Sequence, residues 1–201
     1  MPVYLDEENI SSDDTTIGFP HLLLCMGLVY VADGALHGIH LTSRSNTEDA
    51  IKAFKAYLNK HSITGGTALY GSANHGIRYG KANSKASWKQ EMTYIANEIG
   101  YTGKVRGFDT AILKPKKGTY VEYQTKADGT CKIFYKRNEK MNFESDLSQR
   151  LPKVGPGGAL DEGVGRKGFV KKSANIIVTK SNKGQLHELN YSIRQSSFDV
   201  K

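Results

Sequence analysis

Cysteine is scarce in this chain, and its scarcity excludes a fold held together by disulfides. Only two cysteines, Cys25 and Cys131, occur among 201 residues, and so widely separated a pair does not make a disulfide framework. We therefore expect free thiols and a reducing compartment. Hydrophobic residues make up 38% of the chain and charged residues 24%, as in ordinary globular proteins. The length suits one large domain, or one domain with an appendage.

Long hydrophobic runs are also missing. The most apolar stretch, residues 17–36, follows acidic rather than basic residues and is interrupted by Pro20, His21 and Asp33. Its uninterrupted part is shorter than a membrane span requires. We therefore expect no signal peptide and no membrane-spanning segment. The expected location is the bacterial cytoplasm, followed, for an exported protein, by delivery into a target cell without a cleavable leader.

Basic residues are absent from the first fifth of the chain. Residues 1–43 contain six acidic residues and no lysine or arginine, so their net charge of −6 leaves +14 for the remainder and +8 overall. A basic body can contact nucleic acid, an anionic membrane or an acidic protein. No block of basic residues interleaved with aromatics occurs, so a basic adaptor or nucleic-acid-binding module stays the alternative without enzymatic activity. The chain also lacks zinc-ligand spacing, a P-loop and a dinucleotide fingerprint, which predicts no metal and no organic cofactor.

The hydrophobic pattern predicts a layered α/β (α+β) domain, with a mixed β-sheet or β-sandwich core flanked by two main helices. The predicted helices cover residues 46–59 and 87–99. The predicted strands cover residues 22–31, 35–42, 68–71, 104–108, 119–123 and 131–135. We expect three parts: an acidic, irregular lead-in over residues 1–16, the domain over 17–140, and an extension over 141–201. In the extension, a glycine-rich linker over 151–168 precedes strand-like segments at 174–180 and 186–193.

The stretch HLLLCMGLVYVADGALHGIHLTS, residues 21–43, puts a thiol and an imidazole on two strands of one predicted hairpin. A turn centred on Asp33-Gly34 makes Cys25 and His40 diagonal neighbours, with Cβ atoms roughly 7–8 Å apart, whereas a turn at Ala32-Asp33 places them directly opposite at about 5 Å. Both registers put the two side chains on one face.

A histidine beside a cysteine can produce a nucleophile, because an imidazolium lowers the pKa of the thiol and the thiolate attacks carbonyl carbon. His37 is three residues from His40, so along a strand its side chain points to the opposite face, and it is the weaker candidate partner for Cys25. A buried apolar cysteine beside a hydrogen-bonded core histidine is the simpler alternative.

The order of elements and three local stretches resemble the CheD-like glutamine deamidases. This group includes the chemoreceptor deamidase CheD, the catalytic domain of the cytotoxic necrotizing factors and a related bacterial lethal factor. Residues 21–43 resemble the family's segment of cysteine, apolar strand, turn and histidine. ALYGSANHG resembles the strand and glycine loop after the first helix, and residues 103–136 resemble its strand and closing hairpin. The similarity spans roughly residues 22–136.

The resemblance implies a protein glutamine deamidase in which Cys25 is the nucleophile and His40 the base, without a metal or cofactor. The expected reaction passes through a thioester and converts a glutamine of a protein partner to glutamate; the partner is a small GTPase or another host protein if the chain is a bacterial effector toxin. A chemoreceptor-type deamidase, a cysteine protease or amidase, and a transglutaminase remain alternatives within enzymes. Nucleic acid is not the expected partner.

The sequence departs from the family at two positions. Leu24 stands where the family often has a small residue, and Phe19 stands where CheD and the lethal factor have a threonine that orients the histidine. Thr15 and Thr16 lie slightly upstream, and the necrotizing factors use a main-chain carbonyl instead. The further candidates for orienting the histidine or lining the substrate cleft are Thr16, Asn74, His75 and Asp109.

Overall fold

The computed structural model describes residues 3–115, 118–137, 145–146, 151–162, 170–171, 186–190 and 196–200. The three helices of these ranges are α1 (Thr47–Lys60), α2 (His75–Arg78) and α3 (Ser84–Ile99). The strands are β1 (Val3–Tyr4), β2 (Ile10–Asp13), β3 (Thr16–Leu22), β4 (Met26–Ala32), β5 (Ala35–Leu41), β6 (Ala68–Ala73), β7 (Gly103–Gly107), β8 (Thr119–Thr125), β9 (Cys131–Arg137), β10 (Ser145–Asp146), β11 (Lys153–Val154), β12 (Leu160–Asp161), β13 (Val170–Lys171), β14 (His187–Glu188) and β15 (Ser196–Val200).

Two mixed sheets form the frame of the fold. One has the strand order β15-β7-β6-β4-β5-β2, and the other has the order β1-β3-β8-β9-β14. The pairs β6–β7 and β1–β3 are parallel, whereas the other pairs within these two sheets are antiparallel. The prediction of an α+β fold built from mixed sheets and a few helices is confirmed.

Strand β4 shows why the sequence is so apolar at the centre of the fold. Every residue of β4 is buried, because both faces of its sheet are covered. Leu28 and Tyr30 pack toward α1 and α3, whereas Val29 and Val31 pack against the five-stranded sheet. The described residues thus form two cores, one between the sheets and one beneath the helices.

The prediction of an irregular N-terminal lead-in is wrong for residues 3–13. Strand β2 pairs with β5, β1 pairs with β3, and Leu5 and Ile10 are completely buried. The acidic composition of this segment predicted an irregular structure, whereas a few hydrophobic residues anchor it in both cores. The segment consequently belongs to the domain.

The C-terminal part does not form a separate extension where it is described. Strand β14 extends the five-stranded sheet, and β15 pairs with β7 at the edge of the six-stranded sheet. The predicted linker is described up to residue 162, where it forms the β11–β12 hairpin and packs on α1: Lys52 donates a hydrogen bond to the Gly157 carbonyl. The rest of that linker and the predicted strand at 174–180 lie outside the described residues.

Candidate active site

The hairpin formed by β4 and β5 has the diagonal register. Asp33 and Gly34 occupy the turn with φ of 52° and 77°, as a two-residue type I′ turn requires. Gly27 therefore pairs with His40, and Cys25 lies immediately before β4. The directly opposed register is excluded, because it would pair Cys25 itself with His40. Cys25 and His40 share the face that looks toward the five-stranded sheet, at one edge of the sandwich.

His40 is held in a single tautomer by the N-terminal segment. Its Nδ1 lies 2.7 Å from the main-chain carbonyl oxygen of Leu5, and a carbonyl can only accept, so Nδ1 carries the proton. Burial lowers the pKa of His40, and the ring is neutral at pH 7 with an unprotonated Nε2. Nε2 is buried and has no hydrogen-bond partner among the described residues. This nitrogen is available to accept a proton.

His37 shows how a histidine with a structural role differs. Its Nε2 donates to the Ala32 carbonyl at 3.1 Å, and its Nδ1 lies 2.6 Å from the Ser12 hydroxyl. Ser12 in turn contacts the Tyr57 hydroxyl beneath α1 at 2.8 Å. Both ring nitrogens of His37 are thus occupied, on the opposite face of the sheet from Cys25, as its parity predicts.

Cys25 is in its thiol form in this arrangement. It is 5% exposed, and its S–H donates to Oε1 of Glu7 at 3.4 Å. Burial and then the Glu7 carboxylate raise the pKa of Cys25 from 9.0 to about 12, although Arg78 acts in the opposite direction. The expectation that an imidazolium lowers the thiol pKa is therefore wrong for this arrangement. The resting pair is a neutral thiol and a neutral imidazole.

Arg78 orients the peptide bond in front of the thiol. Its Nη1 donates to the Leu24 carbonyl at 2.9 Å and also to the Thr42 carbonyl. Because a trans peptide directs its C=O and N–H to opposite sides, the N–H of Cys25 points away from Arg78. In the described part of the chain, the main-chain N–H groups of Leu24 and Cys25 have no hydrogen-bond partner. They are free to bind an oxyanion beside the thiol.

The Phe19 ring occupies the space next to Gly27. A Cβ at Gly27 would lie 2.6 Å from the Phe19 ring, so the absent side chain accommodates that ring. The ring centroids of Phe19 and His40 are 5.9 Å apart in an edge-on arrangement. Phe19 therefore packs against His40 but cannot orient it by hydrogen bonding, and the Leu5 carbonyl does so instead.

Asn74, His75 and Asp109 come together at the same edge of the six-stranded sheet. The β4–β6 register pairs Met26 with Ala73, which puts Asn74 beside Cys25. Asn74 caps α2 by accepting the Ile77 N–H at 3.1 Å, and Asp109 accepts the main-chain N–H of His75 at 3.0 Å. These contacts position backbone, so neither Asn74 nor Asp109 orients His40.

The His75 ring is buried behind this edge. Its Nδ1 lies 3.7 Å from Asp109 Oδ2, and the ring stacks on Trp88 with centroids 5.5 Å apart. Its Nε2 has no hydrogen-bond partner among the described residues. Burial lowers the pKa of His75, which keeps this ring neutral as well.

Thr16 and Cys131 lie away from the site. Thr16 pairs with Gln124 at the first residue of β3, whereas Cys25 follows the end of that strand, so the length of the strand, roughly 20 Å, separates them. Cys131 is a free, buried thiol in β9, and its N–H donates to the Tyr70 hydroxyl. Thr16 therefore does not orient His40.

Three residues of the site were not predicted from the sequence: Leu5, Glu7 and Arg78. Leu5 contributes only its main-chain carbonyl, and no side-chain pattern reports such a contact. Glu7 belongs to an acidic run of ordinary appearance, and Arg78 lies 54 residues from Leu24 in sequence. An unusual feature of Arg78, its burial beside Glu91, appears only once the chain is folded.

Comparisons with profiles of known protein families, with curated proteins and with solved structures find no match. Within the described ranges, no group of histidine, cysteine, aspartate and glutamate side chains is arranged to hold a metal ion. No helix of the described residues is long and apolar enough to cross a membrane.

Proposed function

We propose that this protein is a cysteine-dependent amide hydrolase that deamidates glutamine side chains of a protein partner. The observation that carries the proposal is the state of His40, on the strand of the hairpin that pairs with β4 just after Cys25: its Nδ1 is bound by the Leu5 carbonyl, while its Nε2 is neutral and unpaired among the described residues. Orientation of one ring nitrogen and availability of the other are what a general base needs. A main-chain carbonyl in this role is also what the resemblance to the necrotizing factors implies.

The neutral resting pair favours attack assisted by a general base. As Cys25 Sγ bonds to the amide carbon, its proton passes to His40 Nε2, and the N–H groups of Leu24 and Cys25 bind the oxyanion. The C–N bond breaks, His40 returns the proton to the departing ammonia, and a thioester remains. Water then attacks the thioester, again losing a proton to His40, and releases glutamate and the thiol.

Glu7 has to leave the thiol before this attack. Its side chain is exposed, so rotation into solvent removes the hydrogen bond from Sγ without disturbing the core. A partner that draws Glu7 away would couple binding to activation of the nucleophile. Delivery as a bacterial effector toxin belongs to the same proposal, through the resemblance described above.

A glutamine analogue that carries a diazoketone in place of the amide tests the proposal, because it alkylates a nucleophile that attacks the amide position. We expect it to label Cys25, located by peptide mass spectrometry, and we expect His40→Ala to lower the labelling rate at least about a hundredfold. Cys131→Ser is the matched control and should leave the rate unchanged. Labelling of Cys25 no faster than that of Cys131, or a rate indifferent to His40→Ala, contradicts the proposal.

The alternatives give different products. A protease of the same dyad cleaves its target into fragments, and a transglutaminase incorporates an added primary amine. A basic adaptor or nucleic-acid-binding module would bind nucleic acid with a steep salt dependence, and this binding would survive Cys25→Ser.

A further inference from the structure

Three turns at the edge that holds Cys25 expose large hydrophobic side chains. Of the five large hydrophobic residues exposed in the described ranges, three lie here: Leu24 is 45% exposed, Ile77 46% and Ile112 56%. Leu24 directly precedes Cys25, Ile77 follows Asn74 in α2, and Ile112 follows Asp109. Grouped apolar exposure of this kind marks sites of protein interaction.

Hydrogen bonds hold these three turns to one another. Oδ1 of Asp109 accepts the main-chain N–H groups of His75 and Ala111, both at 3.0 Å, and thereby joins α2 to the 3-10 turn over residues 110–113. Arg78, the last residue of α2, donates to the Leu24 carbonyl at 2.9 Å. Leu24, Ile77 and Ile112 therefore lie on three turns that hydrogen bonds connect, and we call these three residues the apolar rim.

The charges on the two sides of the thiol have opposite signs. Lys81, Lys85 and Lys114 are exposed around α2 and the 3-10 turn, and none of them forms a salt bridge with another described residue. On the other side, Asp6 and Glu7 are close enough to Cys25 to act on its ionisation. A segment that binds across the rim would complement these charges if its acidic residues lay near the three lysines.

We propose that the apolar rim docks a protein segment in which hydrophobic residues flank the target glutamine and acidic residues lie beyond them on one side. This proposal rests on the proposed function, because it concerns how the substrate of Cys25 is chosen. A small amide would leave the rim uncovered, whereas an extended segment covers it while its glutamine reaches the thiol.

Peptides that carry the glutamine diazoketone test the rim through the alkylation rate of Cys25. One peptide has leucine neighbours and glutamates at one end, a second has leucine neighbours and lysines at that same end, and a third has serine throughout; the charged pair is made for each of the two ends. In the unaltered full chain, we expect the first peptide to react about tenfold faster than either of the others. The advantage over the lysine peptide should shrink as salt is added.

Ile77→Ser and Ile112→Ser examine two of the rim residues individually, and Leu24 is kept because its main-chain N–H belongs to the candidate oxyanion site. Each should slow the leucine–glutamate peptide about fivefold and leave the rate of the free amino-acid analogue unchanged. Tyr94→Ser is the matched control, because Tyr94 is an exposed hydrophobic residue of α3, outside the rim.

Equal rates for the three peptides, or rim variants that behave like Tyr94→Ser, would overturn the docking proposal while the proposed function stands. Failure of the free analogue to label Cys25 in the unaltered chain would overturn both. The comparison of peptides on the unaltered chain does not depend on the folding of any variant.

Discussion

Glu7 adds to the effect of burial on the ionisation of Cys25 in the resting arrangement. The carboxylate accepts the thiol proton at 3.4 Å, and its charge adds to the effect of burial in raising the thiol pKa. The side chain of Glu7 is exposed, whereas that of Cys25 is buried. A surface residue thus contributes to the protonation state of a buried nucleophile, and this relation can be tested without knowledge of the substrate.

Glu7→Gln should increase the rate at which iodoacetamide alkylates Cys25 at neutral pH. The amide keeps the size of the side chain but removes the negative charge that disfavours the thiolate. We expect a rise of roughly threefold to tenfold, measured by peptide mass spectrometry in the folded protein.

Glu8→Gln is the matched control, because Glu8 is the adjacent acidic residue and Cys25 donates its proton to Glu7 instead. Equal rates in the two variants would contradict the role given to Glu7. The pH profile provides a second readout: with a Cys25 pKa of about 12, the rate in the unaltered protein should still be rising above pH 9, the ordinary value for a thiol.

At the scale of elements, a buried ion pair connects two helices to the strand ends around Cys25. Arg78 of α2 and Glu91 of α3 form two hydrogen bonds of 2.9 and 2.7 Å, and Glu91 also accepts from Tyr79 at 2.5 Å and from Thr47 at the start of α1. Burial acts to raise the pKa of Glu91, but the hydrogen bonds from Arg78 hold it below its ordinary value. Because Arg78 also binds the Leu24 carbonyl, the same cluster sets the backbone of the candidate oxyanion site.

Arg78→Met should lower the free energy of unfolding by about 3–5 kcal/mol, because it leaves the Glu91 charge buried without its partner. Urea denaturation measures this loss. Removing both charges in Arg78→Met/Glu91→Met should restore part of the stability, since a buried pair is often replaceable by packed hydrophobic residues.

Lys55→Met is the matched control for Arg78→Met. Lys55 and Glu98 form an exposed pair 3.6 Å apart, and such pairs contribute about 0–1 kcal/mol. An Arg78→Met variant as stable as Lys55→Met would show that the buried cluster is not the link described here.

At the scale of the whole molecule, burial affects ionisation on both sides of neutral pH. His37, His40 and His75 all have a pKa lowered by burial from the ordinary 6.5. Cys25, Cys131, Tyr4 and Tyr70 all have a pKa raised to about 12 by burial, from ordinary values of 9.0 for the thiols and 10.0 for the phenols. The folded chain therefore favours the neutral form of each group.

Stability should be greatest between about pH 6.5 and 9. Below this window the histidines of the unfolded chain bind protons, whereas the buried histidines of the folded chain stay neutral. The free energy of unfolding therefore falls as pH decreases, by up to about 1.4 kcal/mol per pH unit and group. Above it the unfolded chain loses protons from thiols and phenols that the fold retains, so the free energy of unfolding falls as pH rises toward 12.

Urea denaturation at a series of pH values checks this prediction. The variant Cys25→Ser/Cys131→Ser should show a weaker decline above pH 9, because it lacks the two thiols that ionise in the unfolded state. A free energy of unfolding that is constant from pH 9 to 11 in the unaltered protein would contradict the prediction.

The local elements could be predicted from sequence patterns. Alternating apolar strands around Asp33-Gly34 predicted the β4–β5 hairpin, and hydrophobic stripes predicted α1 and α3 within a few residues at each end. Such elements depend on the period of side chains along a short stretch and on the conformation of a turn. The placement of Cys25 and His40 on one face followed from this periodicity alone.

The groups that orient Cys25 and His40 and set their protonation come from distant parts of the chain and become apparent only in the folded structure. The Leu5 carbonyl reaches His40 across 35 residues, Glu7 reaches Cys25 across 18, and Arg78 reaches Leu24 across 54. No local pattern encodes contacts of this range, and the lead-in was mispredicted because its acidic residues outnumber the buried Leu5 and Ile10 that anchor it. Burial then set the protonation of the site, since the cost of a charge depends on the complete packing around it and not on the residue type.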